Sequence, residues 1–404
     1  MRLFEILLIL INVPFVLWGF SPRGRPKWTA VFPLLSMMLI GLHLAVEGYR
    51  WQMVPAYLLT LILLWQGIRP FLNTRQAKRP FVILGNALLM LLLIAAAALP
   101  TLLPVPQLPD TTGPYAVGTT TLALVDETRL EPYSNDPDDK RELVMQIWYP
   151  ANPTGSEPEA VYLPHLEIAG PIIAERFGLP AFLFNHVNLT PLHIRQDAPI
   201  LENDASFPVI LFSHGLNSIR VQSMTIVREL ASHGYVVAAV DHTFAAALTV
   251  FPDGRIVFYD AKRLFTNGKS NPEEANQLVK QWANDLGFML DQLMLWQAEA
   301  GNRFNGRLDF SRVGVFGHST GGAATIEFCM KDGRCDAGVA LDSWVLPVSD
   351  NVLTDGPTQP FMFINTPRWL GERNASQGMR IFESLPNDAY NLTLAGTQHY
   401  DFTD

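Results

Sequence analysis

Four stretches within the first 103 residues contain no Asp, Glu, Lys or Arg: 6–21, 28–46, 51–68 and 81–103. Each is close to the roughly 20 residues that an α-helix needs to cross the hydrocarbon layer, the first and third being short. None has a polar face, so none suits the surface of a water-soluble core. Trp18, Trp28, Trp51 and Trp65 fall at or near the ends, where an indole is stable between lipid and water. A cleaved leader is not expected, because Glu5 interrupts the basic start, no small-x-small site follows, and three more spans come after. Residues 1–103 are therefore expected to form a transmembrane bundle of about four helices, anchoring the rest of the chain to a bilayer.

Charge gives the expected orientation. Arg23, Arg25 and Lys27 lie between the first two spans, and Arg69, Arg75, Lys78 and Arg79 between the third and fourth; only Arg2 and Arg50 occupy the other side. Seven basic residues against two place those loops in the cytoplasm and everything after Leu103 outside it. The whole chain carries a net charge of −9, but residues 1–104 are at +7, which leaves −16 for the remainder. An acidic domain has no electrostatic reason to hold a phosphate backbone, so nucleic acid is not an expected partner. With 49% hydrophobic residues the chain is not disordered.

Residues 104–113 are Pro-rich and read as a linker about ten residues long, a reach of roughly 33–36 Å at most. Residues 114–404 read as one α/β domain. Two β-like runs, 115–125 and 141–149, flank an acidic turn. Continuous apolar runs at 208–213 and 235–240 suit strands buried on both faces. Short runs at 313–316, 337–341, 360–365 and 391–394 add further strands. Helical spacing covers 218–232, closed by Gly234, and Ser270-Asn271-Pro272-Glu273 reads as a capping box opening a helix with Leu278, Trp282, Leu286, Leu290, Leu293 and Trp296 on one face. Alternating strands and helices imply a mainly parallel sheet covered on both faces. Cys329 and Cys335 are the only cysteines. They fit either a small disulfide loop worth roughly 2 kcal/mol or two buried thiols. No paired Cys or His spacing suggests a metal site.

The chemistry is expected at strand ends. Gly317-His318-Ser319-Thr320-Gly321 is a G-x-S-x-G pentapeptide between a buried strand and a small-residue helix, the setting of a nucleophile elbow. Ser213-His214-Gly215-Leu216 ends an earlier strand, where the Leu216 N–H can join the Thr320 N–H in an oxyanion hole; His214 itself suits a structural role. The chain order Ser, Asp, His points to Asp342, directly after the strand at 337–341, and to His399. Asp241, also at a strand end, is the rival acid. His165, His186, His193, His233 and His242 have no strand-end position that suits a base for Ser319. Apolar segments 180–184 and 344–347 are candidates for an acyl pocket, or else ordinary core.

These motifs carry a resemblance. PVILFSHGL (208–216), LASHGYVVAAV (230–240), GHSTGG (317–322) and ALDSW (340–344) are similar to the plasma and intracellular type II platelet-activating factor acetylhydrolase family, as are GPYAVG (113–118) and QIWYP (146–150). The likeness runs from about 110 to 404 and has no counterpart for the membrane region. It implies an α/β-hydrolase fold, a triad of Ser319, Asp342 and His399, oxyanion donors at Leu216 and Thr320, and no metal or organic cofactor. It also implies calcium-independent hydrolysis of short or oxidised acyl esters on phospholipids. The chain stops five residues after His399, where the family usually continues into a closing helix, so a fragment or a trimmed end is expected. The same triad serves broad carboxylesterases, thioesterases and polyester hydrolases. A membrane receptor on a hydrolase scaffold is the alternative from another class.

Overall fold

The computed structural model describes residues 1–21, 25–72, 79–176, 178–202, 206–367 and 369–404. Two compact units emerge: Met1–Leu108 together with Val161–Pro191, and Pro109–Ala160 together with Leu192–Asp404.

In the first unit, α1 (Leu3–Trp18) packs on α2 (Val31–Val46) and α4 (Arg79–Leu102), and α3 (Val54–Ile68) packs on α2 and α4, closing a four-helix ring. One 3₁₀ turn before α2 and one at each end of α3 extend them into apolar spans of 20 and 21 residues, Lys27–Val46 and Trp51–Phe71; Pro80–Leu102 gives a third, of 23. At 1.5 Å per residue these lengths match a hydrocarbon layer of roughly 30 Å. The first expected span is shorter than the sequence suggests. Its helix stops at Trp18 after 16 residues, because side chains from elsewhere take its last carbonyls: Arg25 Nε donates to the Phe15 oxygen at 2.9 Å and Asn86 Nδ2 to the Gly19 oxygen at 2.5 Å. Phe15, Leu59, Leu63 and Leu89 fill the interior, whereas Leu34, Met38, Leu61, Leu84 and Leu91 are exposed, as lipid-facing side chains should be. Polar side chains between the helices are paired. Asn12 donates to Thr60 at 3.0 Å, Ser36 donates to Asn12 at 2.8 Å, and buried Arg50 meets buried Glu5 at 2.6 Å. The same unit includes α5 (Leu166–Arg176), followed by His186, whose Nδ1 lies 2.9 Å from Gln52 Nε2. Of the basic residues that set the expected orientation, Arg23, Arg75 and Lys78 lie outside the described residues.

The second unit is an α/β-hydrolase fold. Its strands are β1 (Ala116–Leu130), β2 (Lys140–Ala151), β3 (Ile194–Gln196), β4 (Phe207–Ser213), β5 (Val236–Asp241), β6 (Leu248–Val250), β7 (Ile256–Phe258), β8 (Leu308–His318), β9 (Ala337–Leu341), β10 (Phe361–Asn365) and β11 (Ala389–Thr393). Nine of these form one sheet in the order β11-β10-β9-β8-β4-β5-β2-β1-β3, and β6 pairs with β7 in a separate ribbon. Pairing is parallel from β11 to β5, while β2 runs antiparallel to both β5 and β1. The helices are α6 (Met224–Ser232), α7 (Ala261–Leu264), α8 (Pro272–Ala298), α9 (Thr320–Lys331), α10 (Asp350–Thr354) and α11 (Gly371–Ser384). The core joins Val209, Leu211, Val236, Ala238 and Val315 of the central strands to Leu278, Trp282, Leu286, Leu290 and Leu293 of α8 and to Ala323 and Ala324 of α9. Burying one such leucine stabilises the fold by roughly 1.5–3 kcal/mol.

Two local expectations need correction. The helix expected from Ser218 begins only at Met224, since Asn217 has a positive φ of 56° and residues 220–223 form a turn. The cap of α8 is Asn271 rather than Ser270: Pro272 takes the first helical position, where its missing N–H costs nothing, and Asn271 Oδ1 accepts the Glu274 N–H at 3.0 Å.

Candidate active site

Strand register brings the candidate residues to one edge of the sheet. Ser213 on β4 pairs with Gly317 on β8, Gly317 with Ala340 on β9, and Leu341 with Ile364 on β10. The segments that follow, His214–Leu216, Ser319–Thr320, Asp342 and Thr366, therefore leave the sheet together at its carboxyl end. Open α/β sheets bind ligands at that end.

Ser319 sits between β8 and α9 with φ 58° and ψ −119°, a strained conformation for a residue with a Cβ. Its backbone is clamped: its N–H donates to the Leu341 oxygen at 2.9 Å and its oxygen accepts the Trp344 N–H at 3.0 Å. The turn closes so tightly that a Cβ on Gly321 would stand 2.1 Å from the Ser213 oxygen, and one on Gly317 would stand 2.2 Å from the Gly321 oxygen. These two glycines are required by space alone. Thr320 opens α9, so its N–H has no acceptor within the helix, and the helix dipole there favours negative charge. The Gly215–Leu216 turn lies alongside, since a Cβ on Gly215 would be 3.3 Å from Ser319 Cβ. The N–H groups flanking Leu216 are both pinned, Gly215 to Gln222 Oε1 at 2.8 Å and Asn217 to the Ala245 oxygen at 2.8 Å, which fixes the Leu216 amide between them.

Asp342 also has a positive φ, 42°, and its N–H is held by the Ile364 oxygen at 2.7 Å. His399 Nδ1 lies 2.7 Å from Asp342 Oδ2, while Thr366 donates to Asp342 Oδ1 through its N–H at 2.7 Å and its hydroxyl at 2.9 Å. Burial alone would raise the Asp342 carboxyl, but the His399 and Thr366 hydrogen bonds outweigh it and hold the pKa below the ordinary carboxylate value. Asp342 therefore stays ionised beside the imidazole. The rival acid is committed elsewhere: Asp241 accepts the Arg220 N–H at 2.7 Å and pairs with its guanidinium.

His399 and Ser319 are linked through His318. The His318 and His399 rings lie 4.4 Å apart, and His318 Nε2 is 3.0 Å from the His399 oxygen. At its other nitrogen, His318 Nδ1 accepts from Gln222 Nε2 at 2.8 Å. Burial, then the neighbouring His399, push the His318 pKa down to about 4, so the ring is neutral and carries its proton on Nε2. One hydrogen-bonded chain thus runs from the Gly215 amide through Gln222 and His318 to the backbone of His399. Trp369 stacks on the His399 ring, with centroids 3.7 Å apart and planes 4° from parallel.

The site residues read from the sequence are brought together: Ser319, Asp342 and His399 at one edge, with Leu216 and Thr320 beside Ser319. Sequence reasoning missed Gln222, His318, Thr366 and Trp369. Only Thr366 had a signal, as the polar residue directly after the run at 360–365. Of the two apolar segments, Trp344 adjoins Ser319, whereas residues 180–184 group with the membrane helices.

A second Ser-His-Asp set also exists. His242 Nε2 lies 2.9 Å from Ser213 Oγ and its Nδ1 lies 2.9 Å from Asp285 Oδ2. It is sealed: Ser213, His242 and Asp285 are all 0% exposed, against 7% for Ser319 and 12% for the His399 side chain. Burial holds His242 neutral, its ring stacks on Trp282 at 4.0 Å, and Asp285 is tied to Arg141 at 2.6 Å. No substrate reaches this set, so it braces β4 and β5 against α8. His214, equally buried, bonds through Nδ1 to the Gly215 oxygen at 2.7 Å and holds its loop, the role its position implied.

The chain is similar to known proteins over most of its length. The family model described as "Platelet-activating factor acetylhydrolase, isoform II" matches residues 103–281 and 286–404. A platelet-activating factor acetylhydrolase of Cavia porcellus is 28% identical over 327 residues, covering 74% of this chain and 69% of that protein. The Bos taurus protein of the same name is 30% identical over 224 residues, half of each chain. Among solved structures, a ferulic acid esterase from Streptomyces cinnamoneus superimposes with a TM-score of 0.58 at 27% identity, covering 74% of this chain and 79% of that one.

Proposed function

The chain belongs to the platelet-activating factor acetylhydrolase, isoform II, family, and from that premise we propose a specific activity: removal of short acyl groups from phospholipids through Ser319, His399 and Asp342. At the coarser level the protein is a multi-pass membrane protein and a carboxylic ester hydrolase acting on lipid-like substrates. The observation that carries the finer reading is the 2.7 Å pair of Asp342 and His399 at the sheet edge that also holds the strained Ser319 turn.

In the proposed reaction the Ser319 hydroxyl attacks the ester carbonyl while His399 Nε2 takes its proton. The tetrahedral oxyanion forms against the Leu216 and Thr320 N–H groups. The carbonyl then re-forms as the His399 proton passes to the departing alcohol, leaving an acyl-serine. Water, deprotonated by the same histidine, releases the acid and restores Ser319. Asp342 holds the imidazole tautomer and faces the positive charge that forms on it. Each oxyanion donor is worth roughly 10²–10³ in kcat.

We place the catalytic unit outside the cytoplasm. The seven-to-two excess of basic residues supports this. So does the disulfide between Cys329 and Cys335, whose Cα atoms are 5.1 Å apart, since such bonds persist in oxidising compartments. The likeness to a ferulic acid esterase favours a second reading, a broad carboxylesterase for non-lipid esters. The two separate on kcat/KM for phospholipids and simple esters with acyl groups of two to sixteen carbons, with and without chelator. The lipid reading requires a preference for short acyl groups on phospholipids, unaffected by chelator. Rates that rise to the longest chain, collapse with chelator, or appear only on simple esters would overturn it.

A further inference from the structure

We infer that Trp369 is a positioning residue for His399, and that its indole face receives the positive charge carried by the imidazole during turnover. The inference rests on the proposed serine-hydrolase mechanism and deepens it. His399 lies in the short 3₁₀ turn His399–Phe402, and the side-chain hydrogen bond that orients its ring is the one from Nδ1 to Asp342. A single hydrogen bond leaves the ring free to swing about its own axis, and such a swing changes the direction of Nε2, the atom that the proposed mechanism uses to take the Ser319 proton. A flat surface parallel to the ring suppresses that motion. Trp369, half-buried in the turn between β10 and α11, supplies it at 3.7 Å and 4°. The other aromatic neighbours cannot do the same: His318 is tilted by 33°, and Tyr400 meets the ring edge-on at 65°.

The stack also has an electrostatic consequence. The proposed general-base role takes the imidazole from neutral to charged in one step. When Ser319 attacks, the O–H bond breaks, the proton forms a bond to Nε2, and the ring becomes a cation until that proton leaves with the alcohol. A cation over an indole face is held by the ring quadrupole, by an amount that converts to roughly 3- to 30-fold in rate. The attraction exists only while the ring is charged, so it lowers the barrier without tightening ground-state binding. A pocket-lining role for Trp369 would do the opposite, acting on KM and on acyl-chain preference.

The experiment compares Trp369→Leu and Trp369→Phe in the detergent-solubilised full chain, each alone and combined with Asp342→Asn, using activated esters with acyl groups of two to sixteen carbons. Thermal melting reports folding, and fluorophosphonate labelling reports whether the wild-type serine reacts at all. Trp369→Leu is expected to lower kcat about tenfold with KM and acyl-length preference unchanged. Trp369→Phe, which keeps a flat but weaker π face, should recover most of the loss. In the Asp342→Asn background, where the imidazole no longer acts as base, Trp369→Leu should cost less than about threefold. The inference is overturned by an equal cost in both backgrounds, by a raised KM at constant kcat, by an altered acyl profile, or by unchanged turnover. If Trp369→Leu does not fold, the Phe variant decides, since equal kcat deficits with and without Asp342→Asn would again overturn it. A wild-type protein that fails to label would instead remove the underlying mechanism, and the inference with it.

Discussion

Replacing Gln222 with Leu should slow catalysis without touching any reacting atom. Gln222 Oε1 accepts the Gly215 N–H at 2.8 Å, and its Nε2 donates to His318 Nδ1 at 2.8 Å. Leucine has nearly the same volume but leaves both groups buried and unpaired. Each orphaned group costs about 1–3 kcal/mol, so the protein should lose about 2–6 kcal/mol of stability. The kinetic effect follows from where Gly215 stands. Its amide neighbours the Leu216 N–H in the proposed oxyanion hole, and complete loss of such a donor costs roughly 10²–10³ in kcat. Loosening rather than removing the donor should cost about 10- to 100-fold, with KM little changed, because the oxyanion exists only after attack. Gln222→Glu is the control: one carboxylate oxygen can still accept from Gly215, so kcat should stay above that of the Leu variant. The assay is ester turnover at saturating substrate, below the melting temperature of each variant. A Leu variant that melts early yet turns over within twofold of wild type would refute the view that this chain of hydrogen bonds positions the donor.

Other expectations follow from the same geometry. Asp342→Asn should lower turnover about 10⁴-fold by releasing the histidine tautomer, whereas Asp241→Asn should lower the melting temperature through its Arg220 partner and leave kcat of the folded protein nearly intact; the reverse pattern would move the acid to β5. His318, buried and held near 4, binds its proton less readily folded than unfolded. Its neutral burial thus stabilises the fold fully above about pH 6.5, and on the order of 3 kcal/mol is lost as pH falls from there to about 4. Melting temperature against pH should show that decline, and a flat profile across the window would contradict it. A reporter fused after Pro104 should behave as extracytoplasmic and one placed within residues 73–78 as cytoplasmic; the opposite result would relocate the catalytic unit.

Strand identity was legible because each run in the centre of the sheet is apolar without interruption, as at 208–213 and 235–240. The elbow was legible because its glycines are demanded by backbone contact, which leaves a fixed spacing in the sequence. Helix boundaries were less legible. Whether α6 begins at Ser218 or Met224 depends on a turn held by side chains distant in sequence, and the length of α1 depends on Arg25 and Asn86 reaching its carbonyls. The same reason hides Gln222, His318 and Trp369. Each acts through a partner 7 to 96 residues away, and no local period or spacing encodes a pairing of that kind. The Ser213-His242-Asp285 set shows the converse. Residue types alone do not distinguish it from the Ser319 set; complete burial does.

The most direct measurement is the site of covalent capture by a fluorophosphonate. Full-length protein in detergent is treated with the probe, digested and sequenced by mass spectrometry, alongside Ser319→Ala. The account predicts one adduct, on Ser319 within Gly317-His318-Ser319-Thr320-Gly321, appearing in step with loss of esterase activity, and neither adduct nor activity in the alanine variant at unchanged melting temperature. An adduct on Ser213 or elsewhere, or full activity after Ser319→Ala, would contradict it.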